Sequence, residues 1–100
     1  IAFLQDQIDN NEDAIKAFFA GYNKAVEYMK NTDIKEYEDI VISTVGYSED
    51  AKGNIVLPEL KTNYLPDADK VQAVFDWSKN NGIISEDLKA EDVIVDKFIK

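Results

Sequence analysis

The sequence predicts a mainly α-helical fold with one or two short strands, on three observations. Apolar residues recur at helical spacing over residues 12–31, 33–45 and 66–80; helix-starting Asn, Asp and Pro residues precede those stretches; and Gly46 and Gly82 close two of them. The length of 100 residues and 45% hydrophobic content suit one domain, 1–100, with one modest core.

The chain opens on "IAFL", an apolar run that reads as a short buried strand in need of a partner. It lacks an initiator methionine, which reads as part of a longer polypeptide. In "NNEDAIKAFFAGYNKAVEYMKN", Ile15, Phe18, Phe19, Tyr22, Val26 and Met29 wind onto one helical face. Asn10 or Asn11 supplies the cap, and Glu12 and Asp13 suit the positive end of the helix dipole. Gly21 costs about 1 kcal/mol against alanine inside a helix. It therefore marks an expected close approach to another element.

"DIKEYEDIVISTVGYS" fits a helix of about thirteen residues, capped by Asp33 and stopped by a left-handed Gly46, with Ile34, Tyr37, Val41, Thr44 and Val45 on its face. The β-branched run "IVISTV" also suits a strand; the helical spacing is preferred. "SEDAKGNIVLPEL" then reads as a turn and a short extended piece, with Pro58 barring a central strand. Pro66 and Asp67 start a helix with Val71, Val74, Phe75 and Ser78 on one stripe, widened by Ala73 and Trp77. After Gly82, Ile83 and Ile84 turn back, and one or two short helical turns follow with Leu88, Val93 and Phe98 to bury.

Charge and composition narrow the function classes. The formal net charge of −9 disfavours nucleic-acid and anionic-membrane partners. Without cysteine there is no thiolate metal site or thiol catalyst. Without histidine, the imidazole ligand and the usual near-neutral acid–base catalyst are missing as well. No metal, cofactor or catalytic residue is assigned.

Residues 48–59, "SEDAKGNIVLPE", place Gly53 sixth, Ile55 eighth and Glu59 twelfth, the spacing of a calcium loop. Ser48 at the first position and Lys52 at the fifth argue against it, and a solvated turn around Lys52, Gly53 and Asn54 is preferred. The carboxylate pairs Asp6/Asp9, Glu12/Asp13, Glu36/Asp39, Glu86/Asp87 and Glu91/Asp92 fall where polar faces and caps place them. Tyr22, Tyr28, Tyr37, Tyr47 and Tyr64 have the amphipathic character of ligand-stacking groups. Core packing is preferred for Phe18, Phe19, Phe75 and Trp77, each contributing roughly 1.5–3 kcal/mol when buried.

Over "YLPDADKVQAVFDWSKNNGIISEDLKAEDVIVDKFI", Pro66, Asp67, Trp77, Lys79, Gly82, Ile84, Glu91, Asp92, Asp96 and Phe98 form a pattern. It resembles the closing segment of the substrate-binding proteins of ABC importers for nitrate, taurine, aliphatic sulfonates and thiamine-pyrimidine precursors. "IAFLQDQIDNNEDAIKAFFAGYNKAVEYMKN" is similar to that family's strand and long helix, through Phe18, Phe19, Gly21, Tyr22 and Ala25. The resemblance covers nearly the whole chain and is thinnest over 33–64. It implies the C-terminal part of an α/β two-lobe periplasmic-binding-protein-like fold, with helices returning to cover the first lobe. It carries over no ligand residue, although Leu4 and Gln5, at the end of the opening strand, are the part expected nearest a cleft.

The leading expectation is thus the solute-binding component of an ABC importer, not an enzyme. Its partners are a small organic or anionic solute and a permease, and its location is extracytoplasmic, periplasmic or lipoprotein-anchored, with no signal in this chain. A fragment of this kind is also open to self-association through its "IAFL" edge. The alternatives are an independent acidic helical interaction module and a small enzyme using paired carboxylates.

Overall fold

The computed structural model describes residues 1–99. It is mainly helical, 58%, with no strand among the described residues. The helices are α1 (Gln5–Asn10), α2 (Glu12–Asn31), α3 (Glu38–Val45), α4 (Ala68–Asn80) and α5 (Ala90–Val93). They fall into two compact units, Ile1–Thr62 and Asn63–Lys100.

In the first unit, the expected strand at "IAFL" does not form. The Leu4 carbonyl accepts from the N–H groups of Gln7 and Ile8 at 3.0 and 3.1 Å, so it is committed to the start of α1 rather than to a ladder. Polar side chains brace that helix: Gln5 donates to Asp9 at 2.9 Å, Asn10 to Asp6 at 2.7 Å and Asn11 to Gln7 at 2.6 Å. Such pairs four residues apart support a helix that has no apolar stripe. Phe3 then folds back on α2, its ring edge-on to Phe18 at 5.5 Å and to Phe19 at 6.0 Å.

The long helix matches its expected span. Asn11 occupies the N-cap position, but its amide is committed to Gln7 and makes no cap bond. Ile15 and Val26 are buried, whereas Phe18 is exposed and Phe19 half-buried. The expected close approach at Gly21 is absent: a Cβ built there meets no atom within 4 Å. Gly21→Ala is therefore expected to raise stability by about 1 kcal/mol, since it restores helix propensity without a clash. A urea midpoint that rises at unchanged slope will show it.

The helix predicted after Asp33 is split. Asp33 caps a 3₁₀ turn, Ile34–Glu36, by accepting from the Lys35 N–H at 2.9 Å. Tyr37 then leaves helical geometry at φ −131°, ψ 3°, and α3 begins at Glu38. The break follows from where Tyr37 goes: its ring is buried beside Tyr28 at 5.9 Å and its hydroxyl donates to the Met29 carbonyl at 3.2 Å. Gly46 ends α3 in the left-handed region at φ 85°, its N–H bonded to the Ile42 carbonyl at 2.9 Å. A 3₁₀ turn at Glu49–Ala51 follows, and residues 54–67 run without regular structure.

In the second unit, Asp67 caps α4 by accepting from the N–H groups of Asp69 and Lys70 at 2.9 and 3.3 Å. Gly82, at φ 72°, turns the chain beyond it, and the Ile83 N–H bonds the Ser78 carbonyl at 2.8 Å. One short turn, α5, follows. Phe75 and Trp77 do not both anchor α4: Phe75 is half-buried, while Trp77 and Val74 are each 60% exposed. Ala90 is the one apolar residue described as buried in this unit, and Val93, expected inside, is exposed.

Candidate functional site

Side chains with chemical potential gather at one place in each unit. In the first, the start of α3 meets the 48–54 turn. Glu38 is buried, and its carboxylate accepts the Gly53 N–H at 3.1 Å. Beside it Asp39 pairs with Lys52 at 3.0 Å. Lys52 is held above its ordinary pKa, first by the hydrogen bond to Asp39 and then by that carboxylate's charge. Since the lysine value is raised, the tie holds below the ordinary lysine range and is lost as pH rises through the raised value. These bonds fold the would-be calcium loop onto α3: Lys52 is turned to Asp39, and the Gly53 amide is taken by Glu38. Glu38 belonged to none of the carboxylate pairs the sequence singled out. Its partner lies fifteen residues ahead, beyond the reach of any local pattern.

In the second unit, α4 and α5 border a shallow groove of about 410 Å³ lined by Ala68, Asp69, Gln72, Lys89, Ala90 and Glu91. Gln72 spans it. Its amide donates to the Leu88 carbonyl at 3.1 Å and to Asp76 at 3.0 Å, while its oxygen accepts the Ala90 N–H at 2.9 Å. Lys79 pairs with Asp87 and holds that carboxyl below its ordinary pKa, by the hydrogen bond first and by charge second. With the carboxylate value lowered, this tie stands above the ordinary Asp range and is lost as pH falls through the lowered value. Sequence reasoning missed Gln72, which lies outside the apolar stripe of α4 and finds its partners sixteen and eighteen residues ahead.

Of the other singled-out residues, Glu91 lines the groove, while those of α1 and the start of α2 belong to elements that contribute to neither place. Leu4 is 75% exposed, and Gln5 is occupied with Asp9 on α1. Asp6 accepts from Asn10, Glu12 pairs with Lys16 at 3.0 Å, and Glu91 and Asp92 occupy the first turn of α5. Among the described residues, no three of His, Cys, Asp or Glu converge to hold a metal ion. Among the described residues no helix is long and apolar enough to cross a membrane. Phe18 stacks on Tyr22 with centroids 6.4 Å apart, so that aromatic pair serves α2 itself.

The outer face of α4 differs from both polar places. Ala73, Val74 and Trp77, three and four residues apart, are exposed together, and Ile83 beyond the turn is exposed as well. A stripe at this spacing is the apolar face with which a helix docks another surface. No protein-family model, curated protein or solved structure matches the chain.

Proposed function

We propose that the chain is the C-terminal segment of a solute-binding component of an ABC importer, of the nitrate, taurine, sulfonate and thiamine-pyrimidine-precursor type. The complete molecule would be a two-lobe α/β protein that closes on a small organic or anionic solute outside the cytoplasm and presents it to a permease. The observation that carries this is the stripe of Ala73, Val74 and Trp77, left in water on the very helix whose Pro66, Asp67, Trp77 and Gly82 carry the resemblance. Leaving an indole and a valine uncovered forgoes about 1.5–3 kcal/mol for each large side chain. A lobe beneath α4 would recover it. Capture then needs a closed cleft with a few placed polar groups and no covalent chemistry, which accords with the caps and ion pairs that occupy the carboxylates described above.

The test uses protein made from the complete reading frame, set beside the 100-residue chain. One member of a panel of nitrate, taurine, alkanesulfonates and aminopyrimidines is expected to raise the melting temperature, by about 2.7 kcal/mol of stability at a hundredfold excess over Kd. Acrylamide should quench Trp77 freely in the 100-residue chain and poorly in the complete protein, with Trp77→Phe isolating its signal. If no solute stabilises the protein and Trp77 stays equally accessible, the assignment fails. The interaction-module reading draws on the same stripe and makes the opposite forecast. There, Trp77 is accessible in the complete protein and is shielded only when a protein partner is added.

A further inference from the structure

We propose that residues 85–99 form a strap that opens from α4 as one piece, with Gln72 as its latch. One side-chain amide here does what a neighbouring strand's peptide group would do. It gives a proton to the Leu88 carbonyl at 3.1 Å and takes one from the Ala90 N–H at 2.9 Å. A further polar tie between α4 and the strap is the exposed Lys79–Asp87 pair, and pairs exposed to solvent hold little. Apolar burial along the strap is partial: Ala90 is buried, while Leu88, Ile94, Phe98 and Ile99 are half-buried.

The strap's own backbone bonds are local. Asp92 N–H bonds the Lys89 carbonyl at 3.1 Å, Ile94 N–H the Ala90 carbonyl at 3.2 Å, and Ile99 N–H the Asp96 carbonyl at 3.3 Å. Away from α4 the strap keeps nothing but these single turns, which do not persist alone in water, so its amides exchange once it has opened. The pivot is equally well defined: α4 is closed off by the Gly82 N–H on the Lys79 carbonyl at 3.0 Å and by the Ile83 and Ile84 N–H groups on the Ser78 carbonyl at 2.8 and 3.4 Å, so nothing beyond Ile84 is needed to complete the helix. Opening dismantles the groove that Gln72 spans and returns the Gln72 amide to water. Segments held by few buried contacts and a small number of hydrogen bonds are the ones that open below the global unfolding free energy.

Native-state amide exchange followed by NMR on the whole chain tests this. Asp92 and Ile94 report on the strap, because neither bonds Gln72; Val71 and Asn81, bonded to Asp67 and Trp77 at 3.0 Å each, report on α4. In the unmodified protein Asp92 and Ile94 should share one opening constant, larger than that of Val71 and Asn81. Gln72→Ala should speed exchange at both strap amides about tenfold, the effect of losing two net hydrogen bonds, and leave the α4 amides within about twofold, since alanine keeps helix propensity. Asp87→Asn should change the strap less than about threefold. Unchanged strap amides in Gln72→Ala overturn the latch. Equal acceleration of strap and α4, or loss of both folds together, shows one cooperative unit and overturns the proposal as well.

Discussion

Tyr37→Ala should lower the stability of the first unit by about 3–5 kcal/mol, the usual cost of truncating a buried aromatic residue. Tyr37 is 6% exposed, stands beside the Tyr28 ring at 5.9 Å and donates its hydroxyl to the Met29 carbonyl at 3.2 Å. It is thus the residue that fastens the end of α2 to the start of α3, and the reason the chain departs from helical geometry between them. Tyr37→Phe separates the two contributions. It keeps the ring and removes one hydrogen bond, so its expected cost is about 1 kcal/mol. Urea unfolding followed by far-ultraviolet circular dichroism measures both. A phenylalanine variant as damaged as the alanine variant would mean that the hydroxyl, not the packed ring, sets the join. An alanine variant within 1 kcal/mol of the parent, on the same scale of typical mutational effects, would remove Tyr37 from the core altogether.

What the sequence made legible follows from local chemistry. The span of α2 is written in its apolar spacing, and both ends of α4 are written in Asp67 and Gly82, whose cap bond and left-handed backbone are present. The end of α3 at Gly46 is of the same kind. What was illegible depends on partners distant in sequence or on side chains that carry no periodic signal. Helix α1 has no apolar stripe and stands on amide–carboxylate pairs, so a search for hydrophobic period passes over it and finds a strand in the four apolar residues ahead of it. The break at Tyr37 is set by Met29 and Tyr28, eight and nine residues earlier.

Helix α4 shows a further limit. Its apolar arc is broad enough to have two sides, Val71 and Phe75 toward one edge and Ala73, Val74 and Trp77 toward the other. Period alone cannot choose between the two sides. Gln72 chooses, because its bonds to Leu88 and Ala90 bring the following segment against its own side and leave Trp77 in water. The same cause explains why the aromatic pair that drew attention in the sequence is divided, one ring half-covered and the other not. It also explains why the outer stripe is the part of this chain whose occupancy distinguishes an importer lobe from a free-standing module.

Ile42→Ala is expected to cost about 2–4 kcal/mol, while Ile40→Ala, two positions earlier on the same helix, should stay within about 0.5 kcal/mol of the parent. The chemistry removed is identical; only the environment differs. Ile42 is 4% exposed and its carbonyl receives the closing bonds from Gly46 and Tyr47 at 2.9 and 3.1 Å, whereas Ile40 is 66% exposed. Neither isoleucine lay on the stripe expected from a continuous helix begun at Asp33. The 3₁₀ turn and the break at Tyr37 reset the phase of α3, which brings Ile42 inward and sends Val45, expected inward, out to water. The pair therefore tests the phase of the helix directly, with both variants measured by urea unfolding at constant slope. If Ile40→Ala were the costly change and Ile42→Ala the mild one, α3 would be rotated from the orientation described, and the burial of Glu38, which comes four residues before Ile42 on the same face, would fall with it.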